Sequence, residues 1–166
     1  MNYIRQDITR LNEWHRRKTR QSVYNEVQAS GTPNQEGILT DLAVVMAVYH
    51  NDKPEYVRKS VQSIVTQTYP YFDFFICFDG PVSDEVKNFI LSLGDNRLKI
   101  FQIEKHGGLA KALNFLLERV LEKSQYELIA RMDADDISVS TRFEAQKKIL
   151  FRKPFDFLCG FMVQGN

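Results

Sequence analysis

Three carboxylates crowd into four positions at Asp133, Asp135 and Asp136, directly after the apolar run Leu128 to Met132. Asp133 and Asp135 stand two apart, close enough to reach one ion together, and like charges so near repel unless a cation or a hydrogen-bond network offsets them. A hard divalent cation bound by one or two carboxylates and completed by phosphate oxygens and water relieves that repulsion, as Mg2+ usually does. Plainer readings compete. Asp after a strand is ordinary turn chemistry, and Asp136 or Ser138 is placed to open the helix that follows, with capping the favoured role of Asp136. A calcium loop matches at Asp133, Asp135 and Glu144, its first, third and twelfth positions. It fails at Ile137 in the fifth, and at Ser138 where the sixth requires glycine.

The elements around the acids give them their meaning. Leu128 to Met132 has the length and composition of a buried strand, which puts the carboxylates at its C-terminal end, where an open parallel sheet keeps its ligand crevice. From Asp41 the chain repeats that alternation. Leu42 to Tyr49 is a Val-rich run, after which Asp52 and Pro54 supply an N-cap and a first-turn proline. Val57, Val61, Ile64, Val65 and Thr68 form a helical face, and Tyr71 to Phe78 a second strand closed by Asp79-Gly80-Pro81. Val82, Val86, Phe89, Ile90 and Leu93 make the next helical face, ended by Gly94. Leu98 to Ile103 is a third strand; Gly107-Gly108 leads into an amphipathic helix through Leu109, Leu113, Leu116, Leu117, Val120 and Leu121. After the acids come a helix from about Ser140 to Phe151 and a fifth apolar strand, Phe155 to Val163.

Strict alternation with connections too long for hairpins predicts an α/β fold, a mostly parallel sheet with helices on both faces. Four polar loops, Tyr49-His50-Asn51, Asp79-Gly80, His106-Gly107-Gly108 and Asp133-Ala134-Asp135, then gather along one sheet edge. The Gly pair heading a helix presents backbone N–H groups suited to an anion. The chain has no Gly-x-Gly-x-x-Gly and no P-loop, so the usual dinucleotide and P-loop readings lose support.

At 166 residues, 43% hydrophobic and 26% charged, the chain is long enough for one ordinary core. A net charge of +1 gives no global field that favours nucleic acid. Without a signal peptide or a run of about 18 apolar residues, neither secretion nor a membrane span is expected. Cys77 and Cys159 lie in apolar runs without metal-ligand spacing and read as buried thiols of a reducing compartment, the cytoplasm. Residues 1 to about 29 form a separate helical pattern, with Ile4, Ile8, Leu11 and Trp14 on one face and six basic residues beyond it. Such a helix suits an anionic membrane or a partner, although a solvated face on a docked helix is the commoner case. The expected division is therefore a helical extension and linker over 1–37 and a sheet domain over 38–166.

The ordered blocks of this sheet domain resemble a family 2 glycosyltransferase of GT-A fold, a Rossmann-like α/β class, similar to those building bacterial exopolysaccharide or O-antigen. They are Val44 to Asn51 with Ser60 to Tyr69, Phe78-Asp79-Gly80, Gly108 to Asn114 and Ala130 to Asp136. The resemblance runs from Leu42 to Val163 and covers the nucleotide-sugar half. It implies that Tyr49 lies against a uracil or similar base and that Asp79 bonds the base edge. It further implies that Asp135 binds Mg2+ or Mn2+, that Asp133 shares the ion or binds ribose, and that Lys111 reaches phosphate. Arg131 is placed to neutralise the acids or approach diphosphate, and Asn114 to tie loops together. His106 stands where many relatives have Asn and reads as a solvated loop residue.

The implied chemistry is a single inverting displacement that transfers sugar from a nucleotide-diphosphate sugar, a UDP-sugar, to a saccharide or lipid-linked acceptor. The family's general base and acceptor site lie in the second half of its domain. They are expected beyond Asn166, which makes this chain a donor-binding part, incomplete at the C-terminus and inactive or weakly active alone. The uncovered apolar side would meet the N-terminal helix or a second copy of the chain, and the work would lie in the cytoplasm at the inner face of the membrane. Two other classes stay open. A sugar nucleotidyltransferase would carry a Gly-rich basic loop after the first strand, unlike Tyr49-His50-Asn51-Asp52-Lys53, and would release pyrophosphate; a binding or scaffold domain would lack metal-dependent nucleotide affinity.

Overall fold

The computed structural model describes residues 25–27, 40–123, 126–152 and 158. Its strands are β1 (Asn25–Val27), β2 (Leu42–Val48), β3 (Phe72–Asp79), β4 (Leu98–Ile103) and β5 (Leu128–Arg131). The helices are α1 (Pro54–Val65), α2 (Asp84–Ser92), α3 (Leu109–Lys123) and α4 (Arg142–Arg152). The strands form one sheet in the order β1-β4-β3-β2-β5. β4, β3, β2 and β5 run parallel, while β1 pairs antiparallel with the edge of β4. The α/β reading therefore stands.

Alternation along the strands builds two cores, because successive side chains leave opposite faces of a sheet. Leu42, Val44, Met46 and Val48 of β2 join Phe72, Phe74, Ile76 and Phe78 of β3 beneath α1, α2 and α4. Ala43 and Val45 join Phe75, Cys77, Phe101 and Ile103 beneath α3. Burial on both faces is why β2, and β3 from Phe74 to Phe78, read as unbroken apolar runs. It also pushes the Cys77 thiol up to about 12, the unreactive neutral thiol expected from its apolar run.

Polar staples hold the amino ends of the strands. Tyr126 Oη donates to the buried Asp73 carboxylate at 2.5 Å, and Lys147 of α4 bonds both Asp41 and Tyr69. Both clusters lie away from the carboxyl edge.

Several expectations need correction. Residues 25–27, expected within a helix, form β1, since the open edge of β4 offers backbone donors and acceptors that outweigh a helical side-chain period. The other residues of the N-terminal helix and linker and the fifth strand, with Cys159 and Asp156, lie outside the described residues. Among the described strands β5 ends the sheet order, and with Ile129 45% exposed it is half-buried rather than buried. The N-cap of α1 is Lys53, not Asp52, and Pro54 stands in the first turn as expected. Asp136 caps nothing, because α4 starts only at Arg142. No described helix is long and apolar enough to cross a membrane.

Candidate active site

The strand order reverses at β2, with β3 and β4 on one side and β5 on the other. Loops leaving β2 and β5 run side by side, since α1 and α4, to which they lead, both cover the first core, and they stand at the carboxyl ends where an open parallel sheet keeps its ligand crevice. Tyr49 to Asp52 follow β2; Asp133 to Asp136 follow β5. The Asp52 carboxylate accepts the Tyr49 N–H at 2.9 Å. Burial pushes its pKa up, the Tyr49 N–H pulls it down, and the nearby Asp135 charge pushes it up again. Asp52 is thus a further acid at the crevice, and its sequence signal was spent on an N-cap that it does not form.

The acidic loop is built from a backbone held in place and side chains turned out. Met132 N–H donates to Val45 O at 3.0 Å, and Asp136 N–H closes a turn onto Asp133 O at 3.3 Å. Arg131 forks onto Asp133 with three contacts of 2.8 to 3.0 Å. Asp135 is exposed, and among the described residues no donor is bonded to its carboxylate. Asp136 is pushed above the usual carboxylate range by burial, then by the Asp135 and Asp133 charges, against Arg131 and Arg142.

A carboxylate with a raised folded pKa costs stability once the pH exceeds its unfolded value. The cost appears as pH rises from the ordinary carboxylate pKa of about 4 through the raised one. Asp136→Asn is therefore expected to melt higher than the parent at pH 7, with the gain vanishing near pH 4. Thermal melts across pH check this, and a gain independent of pH would contradict it.

On the other side of β2, Asp79 ends β3 and is only 2% exposed. Its Oδ1 accepts Gly107 N–H at 2.7 Å, while Oδ2 accepts Gly108 N–H at 2.8 Å and meets His106 Nδ1 at 2.8 Å. The Gly pair therefore does not present these N–H groups to an anion, contrary to the sequence expectation, because the buried carboxylate needs them. Gly80 lies so near that a Cβ would stand 2.8 Å from His106 N, and its φ of 84° is left-handed, so only glycine fits.

His106 is not simply solvated, since its ring stacks on Tyr49 with centroids 5.8 Å apart and planes 25° apart. Tyr49 itself is 38% exposed at the crevice mouth. Lys111 is exposed on the first turn of α3, and its stem crosses Gly107, where a Cβ would meet Lys111 Cδ at 2.3 Å. Asn114 is exposed on α3 and bonds no loop among the described residues. The structure thus gathers Asp133, Asp135 and the unforeseen Asp52 at the switch point, and Tyr49, Asp79 and Lys111 around the His106 turn.

Among the described residues no three His, Cys, Asp or Glu side chains group to enclose a metal. The donor set fits a hard cation held at an open site, with Asp135 offering a free carboxylate and Asp133 available once it releases Arg131. Remaining positions would go to phosphate and water, the usual arrangement for Mg2+.

An open parallel sheet bearing an acidic loop and an aromatic loop at its switch point defines an α/β unit of the GT-A type. The chain belongs to glycosyl transferase family 2, whose family model matches residues 43–166. The O-antigen biosynthesis glycosyltransferase WbnJ of Escherichia coli is 35% identical over 125 residues, covering 73% of this chain and 46% of that protein. The UDP-Gal:alpha-D-GlcNAc-diphosphoundecaprenol beta-1,3-galactosyltransferase of Escherichia coli is 36% identical over 103 residues, covering 61% of this chain and 36% of that protein. The chain thus spans less than half the length of either relative. S. aureus TarS 1-349 shares the fold, with a TM-score of 0.57 at 20% identity over 67% of this chain and 32% of that one. That protein has been solved with UDP and with UDP-GlcNAc.

Proposed function

We propose that residues 38–166 are the donor-binding part of an inverting glycosyltransferase that takes sugar from a UDP-sugar to a saccharide or lipid-linked acceptor. The observation that carries this reading is the exposed, undonated Asp135 at the switch point, beside Asp52 and across β2 from Tyr49. The named donor and lipid-linked acceptor of the galactosyltransferase relative, and the UDP bound by TarS, support the substrate class.

In this reading Asp135 and Asp133 hold Mg2+ or Mn2+, whose charge stabilises the departing nucleoside diphosphate when bound. Arg131, displaced from Asp133 at the end of β5, and Lys111, lying along Gly107 on the first turn of α3, approach the diphosphate oxygens. Tyr49 offers its face to the uracil ring. Asp79 meets the uracil N3–H only by exchanging His106 on Oδ2, while both glycine N–H bonds stay in place. Holding the donor at both ends fixes the anomeric carbon for in-line attack by an acceptor hydroxyl, with the bond to diphosphate breaking as the new C–O bond forms. The hydroxyl proton would go to a general base, a carboxylate expected from the second half of the family's domain.

Saturation-transfer NMR in Mg2+ checks the nucleotide reading. Uracil and ribose protons of UDP are expected to receive strong saturation and the adenine protons of ADP little. Equal transfer to both bases would count against the roles of Tyr49 and Asp79.

A further inference from the structure

The acidic loop does not hold itself in place. Between Met132 and Arg142 it has no strand or helix, yet its backbone is bonded at both ends of the carboxylate-bearing stretch by polar side chains of α1. Ser60 Oγ donates to Asp133 O at 2.8 Å. Ser63 Oγ accepts Ser138 N–H at 3.0 Å and donates to Ser60 O at 2.7 Å. Gln67 Nε2 donates to Val139 O at 2.7 Å, and its Oε1 accepts Phe143 N–H at 3.3 Å.

Ser60 and Ser63 lie one turn apart on α1, which packs Val57, Val61 and Ile64 into the core, and Gln67 follows just past the end of that helix. Ser60 is fully buried and Gln67 nearly so. A buried hydroxyl or amide is tolerated only where its bonds are made, and here the partners across the fold belong to the segment from Asp133 to Phe143.

We propose that Ser60, Ser63 and Gln67 are positioning residues for the cation and diphosphate. They fix Asp133 O on one side and Ser138 N and Val139 O on the other, so that Asp135 stands at the tip of a braced turn. The inference rests on the donor-binding reading and deepens it. An unbraced loop would sample many carboxylate positions, and a cation that takes only one or two protein ligands gains most from having them preplaced.

The test uses Ser63→Thr and Ser63→Val, which add the same bulk and differ in the hydroxyl. UDP affinity is measured by calorimetry with and without Mn2+, alongside thermal melts and amide exchange across 133–139. Ser63→Val is expected to lose about tenfold in Mn2+-dependent affinity relative to Ser63→Thr, with metal-free UDP affinity unchanged and faster exchange in the loop. Equal Mn2+-dependent affinity in the two variants would overturn the proposal. So would parallel losses of metal-free and metal-dependent binding, which mark a purely structural role. Should the parent chain show no Mn2+ dependence, the donor-binding reading fails by itself and amide exchange decides the bracing: faster in Val than in Thr supports it, and equal rates overturn it.

Discussion

An Asp79→Ala chain is expected to melt roughly 5–15 °C below the parent, the range for a loss of about 2–4 kcal/mol in a domain of this size. Asp79 is buried, and its carboxylate accepts the N–H groups of both Gly107 and Gly108 at the entrance to α3. Alanine removes the acceptor of both donors, one on exposed Gly107 and one on half-buried Gly108, and hydrogen bonds to a charged group contribute more than an average one. The same change frees His106 from Oδ2 and so loosens the ring that stacks on Tyr49. Asp79→Asn keeps one acceptor but turns an NH2 toward a backbone N–H, so it should recover only part of the loss. An unchanged melting temperature in Asp79→Ala would show that the turn stands without the carboxylate.

Asp135→Ala is expected to do the reverse, leaving the fold intact and removing most metal-dependent affinity. Asp135 is exposed and bonds no donor among the described residues, so truncating it breaks no contact that holds the loop. It also removes a like charge beside Asp52 and Asp136. Metal-free stability should therefore hold or rise slightly, and metal-free UDP should bind no worse, because one negative charge facing the diphosphate is gone. With Mn2+ present, loss of the unpaired ligand should weaken UDP by about ten- to a hundredfold, or roughly 1.4–2.8 kcal/mol. Opposite signs with and without metal distinguish a ligand from a fold-stabilising residue.

Much of this arrangement could be read from local pattern. The runs at β2 and β3 are apolar because both faces are covered, and α3 meets the second core through Ala112, Phe115, Leu116 and Val120, so Leu116 and Val120 of the predicted face are buried while Leu109 is exposed. Asp133 and Asp135 stood out because carboxylates two apart after an apolar run are themselves a chemical statement. Features fixed by distant partners were harder to read. Asp79 is separated from Gly107 by 28 positions, so nothing local distinguishes a turn aspartate from one that gathers a second loop. Asp136 resembled a helix cap because the stretch to Arg142 has no signature of its own. Its shape comes from Ser63 and Gln67, more than 70 positions earlier. Ser63 did leave a trace, as a polar residue of α1 between the buried Val61 and Ile64, whereas Gln67 stands past the helix end. At β1 a helical period was overridden by pairing with β4, a competition that side-chain pattern alone does not score.

Calorimetric titration of UDP into the parent chain and into Asp135→Ala, each with and without Mn2+, tests the central claim most directly. The account predicts that Mn2+ tightens UDP binding at least tenfold in the parent and leaves it nearly unchanged in the variant. The same response to Mn2+ in both proteins would contradict it.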